Sequence, residues 1–298
     1  AGEGLDKRLE EHLAAGRFYE AHQLLRARYN RLALQKRHAE VAPLLVAGMR
    51  ALLAHGQAAS ATDLGLCLAE HYRTVGHALD GDTAALLRGL LDAFPSGPDP
   101  GKRKFVGALT KWAGEHDPTL CRLVGTHYSQ QGAHAAAYAY LLHASQPEEL
   151  GKLLVAWASQ GYPSEADLFL ARTVLGLLTF QKLAEANTLY AHVTANHKTL
   201  PQTPLVNFLR FLLLTLERDA APLFRDLRTR YAASLSRDPE FEKMLDTIGR
   251  LYFNIQPSGG AGGGLGGLLS GFMRSMMPPA APPAAAPQPP SASSFSVD

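Results

Sequence analysis

The 298-residue chain is poor in cysteine, lacks a long apolar run and is close to electrical balance, with a formal net charge of +2. Cys67 and Cys121 are too few for a disulfide framework, and two free thiols are typical of a reducing compartment. The most apolar stretch, residues 204–216, carries Arg210 and is shorter than the roughly 20 apolar residues of a transmembrane helix. The first residues contain no apolar run of signal-peptide length. These absences predict a soluble cytosolic protein that neither inserts into a membrane nor binds nucleic acid through bulk charge.

Catalytic and metal-binding motifs are missing as well. The sequence has no G-x-x-x-x-G-K-[ST] loop, no H-E-x-x-H and no G-x-S-x-G elbow. A G-x-G-x-x-G match at 262–267 lies in a glycine-rich tail with no strand before it. Cys67 and His71 share a helix face, but no second pair has the spacing of a zinc site. We therefore expect no catalytic residue, no cofactor and no metal site.

What the chain does contain is helical periodicity, which runs from Leu5 to about Ile255 without a competing strand pattern. Four times a helical stretch ends at a glycine, and an alanine follows five positions later in the next helix. The pairs are Gly16/Ala21, Gly56/Ala61, Gly132/Ala137 and Gly161/Ala166. Glycine suits the left-handed residue that closes a helix, and repeated helical hairpins stack into a solenoid. The predicted fold is all-α, a right-handed α-solenoid of helical hairpins similar to tetratricopeptide repeats.

Two segments interrupt this pattern. Residues 192–204 are irregular and contain two prolines, which predicts a short β-hairpin. Residues 257–298 are rich in glycine, proline and alanine, and such a composition cannot bury a core, so we expect a disordered tail. An apolar, methionine-containing patch at 268–277 is either an adaptable binding segment or a tail motif of unknown use.

The predicted helix 17–35 has two unlike faces. Its core stripe consists of Phe18, Ala21, Leu25, Leu32 and part of Tyr29. The residues that point away from this stripe are Tyr19, His22, Gln23, Arg26 and Asn30. An exposed aromatic residue beside polar and basic groups resembles an interface patch. An ordinary solvated face explains the spacing equally well, and the residues alone do not decide between the two.

The C-terminal end of the helical region is unusually apolar. The predicted helix 204–217 is apolar on nearly every side, and such a helix must be covered on every side. Solenoids normally end in a helix with a polar outer face, whereas the helix 239–255 carries a wide apolar stripe. Either a partner chain or the chain's own irregular segments must therefore cover this end.

These residues carry a resemblance to a known family. The segments that match are GRFYEAHQLLRARYNR, LLAHGQAASATDL, KRKFVGALTKWA, GYPSEADLFLARTVL, PLVNFLRFLLLTLE and RDPEFEKMLDTIGRLYFNI. Their order along the chain resembles that of the fourth subunits of the pathway for guided entry of tail-anchored proteins, from about Leu5 to Met277. The 192–204 segment is shorter than its counterparts, and the tail after Met277 has no counterpart.

The resemblance implies a scaffold without enzymatic activity that bridges two proteins. Residues 1–145 would bind the ATPase that carries tail-anchored membrane proteins, and residues 146–256 would bind a ubiquitin-like adaptor through its N-terminal domain. The scaffold would thereby promote handover of tail-anchored proteins for insertion into the endoplasmic reticulum membrane. In animals a BAG-domain chaperone also joins the complex.

The family's binding residues carry over to two groups of positions. The ATPase-facing candidates are Tyr19, Glu20, His22, Gln23, Arg26, Tyr29 and Asp63. The adaptor-facing candidates are Leu205, Asn207, Phe208, Phe211, Leu212, Tyr252 and Phe253. We expect the polar N-terminal contact to weaken with salt and the apolar C-terminal contact to be nearly insensitive to it.

Three other functions compete with this interpretation. A helical-repeat RNA binder reads bases from fixed positions in each repeat, but the glycine junctions are irregularly spaced and the charge is nearly neutral. An enzyme with an unrecognised helical active site is the second alternative. A generic helical-repeat co-chaperone adaptor outside this pathway is the third.

Overall fold

A computed structural model describes residues 3–196 and 203–255, and every regular element within those ranges is helical. The elements are α1 (Glu3–Ala14), α2 (Phe18–Leu34), α3 (His38–Ala54), α4 (Ala58–Val75), α5 (Gly81–Ala93), α6 (Pro100–Ala113), α7 (Pro118–Gln130), α8 (His134–Leu141), α9 (Pro147–Ala158), the 3-10 turn η1 (Pro163–Glu165), α10 (Ala166–Thr179), α11 (Leu183–Asn196), α12 (Pro204–Glu217), α13 (Ala221–Arg230), α14 (Ala232–Leu235) and α15 (Pro239–Phe253).

The helices pack along the chain as an all-α solenoid. Each packs against its neighbours or next-but-one neighbours, so that α3 lies against α2 and α4, and α4 lies against α6. At the C-terminal end, α10 contacts α11, α12 and α15. The described residues belong to one compact unit, so the division into halves at residue 145 stays a prediction about partner binding.

The junctions between helices repeat one backbone geometry. Gly16, Gly56 and Gly132 have φ values of 71°, 70° and 71°, which confirms the predicted left-handed closures, whereas Gly161 is not in that region. At Gly56 the amide of the next residue donates to the carbonyl of Leu52, closing the helix end. The alanine partners Ala21, Ala61, Ala137 and Ala166 are all buried. The small side chains therefore sit where neighbouring helices approach.

The same geometry occurs at residues other than glycine. Lys36, Gln181 and Asp219 have φ values of 56°, 61° and 50°, and a buried residue follows five positions after each. With Lys36 included, the first closures fall at 16, 36, 56 and 76, a regular interval of 20 residues. The spacing that looked irregular in the sequence is thus regular over the first four helices.

Several helices begin at a capping residue followed by proline. Proline is tolerated in the first turn because its missing N–H has no partner there in any case. At Asp99, Asp117 and Asp238 the carboxylate accepts a hydrogen bond from a backbone N–H of the first turn, and the Thr203 hydroxyl does the same for α12. These caps satisfy donors that the helix itself leaves unpaired.

The prediction of a β-hairpin at 192–204 is wrong for its first five residues, which belong to α11. There the Thr194 hydroxyl donates to the carbonyl of Tyr190, and the Asn196 amide donates to that of His192. These bonds to the preceding turn let polar residues stay in a helix. Residues 197–202 and the predicted tail 257–298 lie outside the described residues. The helical stretch that follows α12 is divided at Tyr231 into α13 and α14.

Two ion pairs fasten the C-terminal end of the solenoid. Arg237 donates to both carboxylate oxygens of Asp167, at 2.7 and 3.1 Å, and Asp167 is fully buried. Nε of Arg172 lies 2.6 Å from Oδ2 of Asp238, the cap of α15. Both pairs join α10 to the start of α15. The Arg237–Asp167 pair is bidentate, and such contacts fix orientation as well as distance.

Candidate functional site

A polar cluster joins α2 to α4 near the N-terminal end of the solenoid. Nε2 of His22 donates to Oδ2 of Asp63 at 2.8 Å, and Nε of Arg26 lies 3.4 Å from the same oxygen. The guanidinium of Arg26 also donates to the sulfur of Cys67, one turn farther along α4. The structure therefore brings together three residues that the sequence assigned to one partner surface, and it adds Cys67.

The cluster forms because the opposite side of α2 is anchored in the core. Ala21, Leu25 and Leu32 are buried, which confirms the main part of the predicted core stripe. Beneath them, Gly48 of α3 allows a close approach, since a Cβ there would lie 2.8 Å from a methyl of Leu25. With this stripe buried, the polar side of α2 faces α4 and the surrounding solvent.

The thiol in this cluster is not activated. Burial raises the pKa of Cys67, and the nearby Arg26 opposes the rise only in part. Burial likewise raises the pKa of Tyr29, with a further contribution from Cys67. A thiol with a raised pKa is a poor nucleophile, because the reactive species is the thiolate. Cys67 is therefore held mainly as the neutral thiol, as a hydrogen-bond partner of Arg26.

The other ATPase-facing candidates surround this cluster on the exposed side of α2. Tyr19 is 72% exposed, and Glu20 and Gln23 are exposed as well. An aromatic side chain left so open is available for an interface, where tyrosine is enriched. Arg37, just after α2, is neutralised by Glu40, with which it forms two hydrogen bonds of 2.6 and 2.7 Å.

A second surface lies between α12 and α13. Its apolar lining comes from Phe211 and Leu214 of α12 together with Leu223 and Leu227 of α13, and the ring of Tyr231 contributes at one end. Phe211 is 43% exposed and Leu223 is 51% exposed, so both side chains stand open. The contiguous apolar lining makes this groove a candidate interaction surface.

This groove keeps its shape because α13 is fastened to α15. Phe224 is buried, and its ring lies 5.2 Å from that of Phe253. A Cβ at Gly249 would lie 3.0 Å from the Phe224 ring, so glycine is what allows this approach. Arg228 adds ion pairs of 2.5 Å with Glu242 and 2.8 Å with Asp246. These contacts hold one wall of the groove in place.

The adaptor-facing candidates separate into core and surface residues. Leu205, Phe208 and Leu212 are fully buried, because α10, α11, α13 and α14 pack around α12. The expectation that only a partner or the chain's irregular segments could cover this helix is therefore corrected. Asn207, Tyr252 and Phe253 are partly exposed, and the Tyr252 hydroxyl has no hydrogen-bond partner in the described part of the chain. Of the seven candidates, Phe211 alone lines the groove.

Sequence reasoning missed the contribution of α13 to this groove. The signal is present in the segment APLFRDLRTR, where Leu223, Phe224 and Leu227 stand among charged residues. Residues 220–235 read as one continuous helical stretch, so the sequence does not separate α13 from the residues that follow it. Only the division at Tyr231 shows that α13 lies beside α12 as a separate wall.

Histidines do not converge on a metal site in residues 3–196 and 203–255. His71 stacks on His38 with ring centroids 5.6 Å apart, and His127 is buried against Asp92, with 2.8 Å between Nδ1 and Oδ1. Cys67 is hydrogen-bonded to Arg26 rather than paired with His71. Within the same residues, none of the helices combines the length and apolarity needed to cross a membrane.

Comparison with known proteins gives consistent matches. The family model described as Golgi to ER traffic protein 4 matches residues 35–273. The Golgi to ER traffic protein 4 homolog of Dictyostelium discoideum is 34% identical over 260 residues, which cover 85% of this chain and 84% of the relative. The human homolog is 28% identical over 268 residues, covering 85% and 80%. The crystal structure of C. therm. Get4 matches with a TM-score of 0.77 at 28% identity, covering 96% of this chain and 99% of that one.

Proposed function

The chain belongs to the Golgi to ER traffic protein 4 family, and we therefore propose that it is a cytosolic scaffold of the guided-entry pathway for tail-anchored proteins. One end binds the targeting ATPase and the other binds the N-terminal domain of a ubiquitin-like adaptor. By holding both, the scaffold promotes handover of tail-anchored proteins for insertion into the endoplasmic reticulum membrane.

The observation that carries this proposal is the presence of two chemically different surfaces on one solenoid. The α2–α4 surface is polar and contains His22, Arg26 and Asp63 beside the exposed side chain of Tyr19. The α12–α13 groove is lined mainly by leucine and phenylalanine side chains. Helices α5 to α11 separate the two in the chain, so each surface is free to bind a different protein.

The two surfaces suit contacts of different duration. A polar, charged surface favours fast and salt-dependent association, which fits an ATPase that binds and leaves. An apolar groove that stays filled fits a lasting complex. The ATPase therefore exchanges, and the adaptor is held as a subunit. The scaffold needs no catalytic residue, metal or cofactor for this role, and the family and fold are of the scaffold type.

Reconstitution of the complex from three purified components tests the proposal. The full chain is mixed with the N-terminal domain of the adaptor and with the ATPase from the same organism, and size-exclusion chromatography with light scattering follows assembly. We expect a complex that contains all three proteins, and the adaptor to stay bound when salt removes the ATPase.

Two outcomes would contradict this function. Binding of the adaptor in competition with the ATPase would exclude a bridge. Binding of neither partner would favour a generic co-chaperone adaptor outside the pathway. A BAG-domain chaperone added in a fourth arm shows whether the adaptor-binding end accepts a further partner.

A further inference from the structure

A buried polar network joins α5, α6 and α7 in the middle of the solenoid. Nδ1 of His127, on α7, donates to Oδ1 of Asp92, on α5, at 2.8 Å, and the imidazole is 2% exposed. Nζ of Lys102, on α6, donates to the carbonyl of Pro95 at 2.9 Å and to Oε1 of Gln131 at 3.0 Å. Lys102 thereby ties the loop between α5 and α6 to the end of α7. Because α5 and α6 both pack against α7, the network lies where three helices meet.

The network has room for one positive charge but makes no provision for a second. Lys102 is 1% exposed and its two acceptors are neutral, and it forms no ion pair within the part of the chain that the structure describes. Nε2 of His127 is buried and has no hydrogen-bond partner there. Since Asp92 already accepts the Nδ1 proton, a proton on Nε2 would meet no acceptor. A buried charge without a partner is costly.

The surroundings of His127 oppose its protonation. Burial lowers the pKa of His127, the hydrogen bond to Asp92 acts against this, and the charges of Lys102 and Arg88 add to it. Burial also lowers the pKa of Lys102, while Asp99 and Asp92 favour its charged form. Helix α8 packs against α7 as well, and its titratable residues include no acid: His134, Tyr138 and Tyr140. At neutral pH the imidazole is therefore neutral.

We propose that His127 and Lys102 form an acid-sensitive latch in the middle of the solenoid. With His127 neutral, Lys102 holds the α5–α6 loop and the end of α7 together. When Nε2 takes up a proton from solvent, two buried cations repel each other and the new N–H has no acceptor. Lys102 then leaves Pro95 and Gln131, and the loop separates from α7. Because α5 to α7 lie between the α2–α4 surface and the α12–α13 groove along the chain, opening loosens the connection between these two surfaces.

Proton linkage sets the direction and size of the effect. In the open state the imidazole titrates at its ordinary pKa of 6.5, whereas in the closed state it stays neutral to a lower pH. The closed state is thus fully favoured above the open-state pKa and loses that advantage as the pH falls towards the closed-state pKa. Between about pH 7.5 and about pH 5.5 the equilibrium constant for opening should rise by up to about tenfold, since opening binds one proton.

Hydrogen exchange of the full chain, followed by mass spectrometry at about pH 7.5 and about pH 5.5, tests the latch. After correction for the intrinsic chemical rate of exchange, we expect protection of the amides in 91–104 and 124–133 to fall about five- to tenfold at the lower pH. The junction between α10 and α15, held by Arg237 and Asp167, is the internal reference. Its protection should change less than about twofold.

Two variants separate the roles of the two side chains. In His127→Asn the amide can donate to Asp92 in place of Nδ1 but does not titrate, so protection of the junction should be the same at both pH values. Lys102→Met removes the charge and keeps an apolar stem. It should raise exchange at both pH values, because the tie to Pro95 and Gln131 is lost, and it should weaken the pH dependence, because a protonated His127 no longer faces a second cation.

His12→Asn, on α1, is the matched control and should exchange like the wild type at both pH values. Circular dichroism shows whether each variant is folded. Equal acid sensitivity of His127→Asn and the wild type would overturn the latch, and so would a loss of protection spread evenly over all helices. If His127→Asn does not fold, Lys102→Met still decides, since an acid effect as large as in the wild type would overturn the inference. No partner protein takes part, so the result is independent of the proposed function.

Discussion

Nε2 of His22 lies 2.8 Å from Oδ2 of Asp63 although 41 positions separate the two residues. The contact joins the exposed side of α2 to α4 and sets a carboxylate among basic side chains. Because Arg26 shares the same oxygen, the three groups form one cluster rather than two independent pairs. A change at Asp63 therefore alters the positions of both the His22 and the Arg26 side chains as well as the local charge.

We predict that Asp63→Lys weakens binding of the ATPase about tenfold, which corresponds to about 1.4 kcal/mol. The substitution removes the acceptor of His22 and Arg26 and places a lysine ammonium beside the Arg26 guanidinium. Its effect on the free energy of unfolding should stay below about 1 kcal/mol, because the Asp63 side chain is 41% exposed. Isothermal titration calorimetry with the ATPase measures the affinity, and thermal unfolding checks the fold.

The matched control is Asp82→Lys, which reverses an exposed acid in the first turn of α5. It should leave ATPase affinity unchanged. Neither variant should affect binding of the adaptor. Equal affinity for Asp63→Lys and the wild type would remove Asp63 from the ATPase site.

Phe211 and Phe208 provide a second test, since both belong to α12 but only Phe211 is exposed to solvent. Phe211→Asp should leave the protein folded and abolish adaptor binding, because Phe211 is 43% exposed and lines the groove. Phe208→Asp should unfold the chain or lower its free energy of unfolding by more than about 3 kcal/mol, since it buries a charge at a fully buried position. Urea unfolding and an adaptor pull-down distinguish the two results.

A stable Phe208→Asp protein that fails to bind the adaptor would show that Phe208 belongs to the partner surface, as the sequence suggested. Leu66→Asp is the control for Phe211→Asp. Leu66 is 38% exposed on α4, far along the chain from the groove, and its change should leave the adaptor complex intact.

The placement of Phe208 shows what the sequence could not predict. Its neighbours along α12 correctly indicated a helix apolar on nearly every side. The residues that cover this helix, however, come from α10, α11, α13 and α14, and their packing depends on contacts distant in sequence. The local pattern predicted that α12 needed cover, but only the tertiary arrangement shows which element provides it.

The His22–Asp63 contact could be predicted from the sequence more nearly than the burial of Phe208 could. The left-handed closures at 16, 36 and 56 place α2 and α4 two 20-residue intervals apart, so residues about 40 positions apart become neighbours across α3. The glycine pattern of the sequence marks the closures at Gly16 and Gly56 but not the one at Lys36, which has the same conformation without being glycine. A left-handed residue is fixed by its capping hydrogen bonds, and lysine adopts it there at an energetic cost.

That cost leads to a third prediction, at Lys36. Lys36→Gly should raise the free energy of unfolding by about 0.5–1 kcal/mol, because φ is 56° and glycine adopts this conformation without a Cβ penalty. Gly56→Ala is the inverse control and should lower stability by about 1 kcal/mol, since φ is 70° and open space surrounds the position. Urea unfolding measures both, and stabilisation by neither glycine would contradict the role of backbone strain at these closures.

The last prediction concerns acid and His143. Burial, together with smaller contributions from the neighbouring His116 and Lys182, lowers the pKa of His143 to about 4. Its ring stacks on His116 at 4.1 Å and meets Phe180 edge-on at 4.7 Å. In the unfolded chain the imidazole titrates at its ordinary pKa of 6.5. Between these values the unfolded chain therefore binds a proton that the folded chain does not.

By this linkage the contribution of His143 to stability is fully present above the unfolded pKa and is lost as the pH falls towards the folded pKa. His143→Phe keeps an aromatic ring in place but removes the titrating group. We expect the wild type to lose on the order of 1–2 kcal/mol more than this variant between about pH 7 and about pH 5. His12→Gln, at a half-buried position of α1, is the control and should retain the wild-type acid sensitivity. Parallel losses for the wild type and His143→Phe in urea titrations at the two pH values would mean that another group controls acid unfolding.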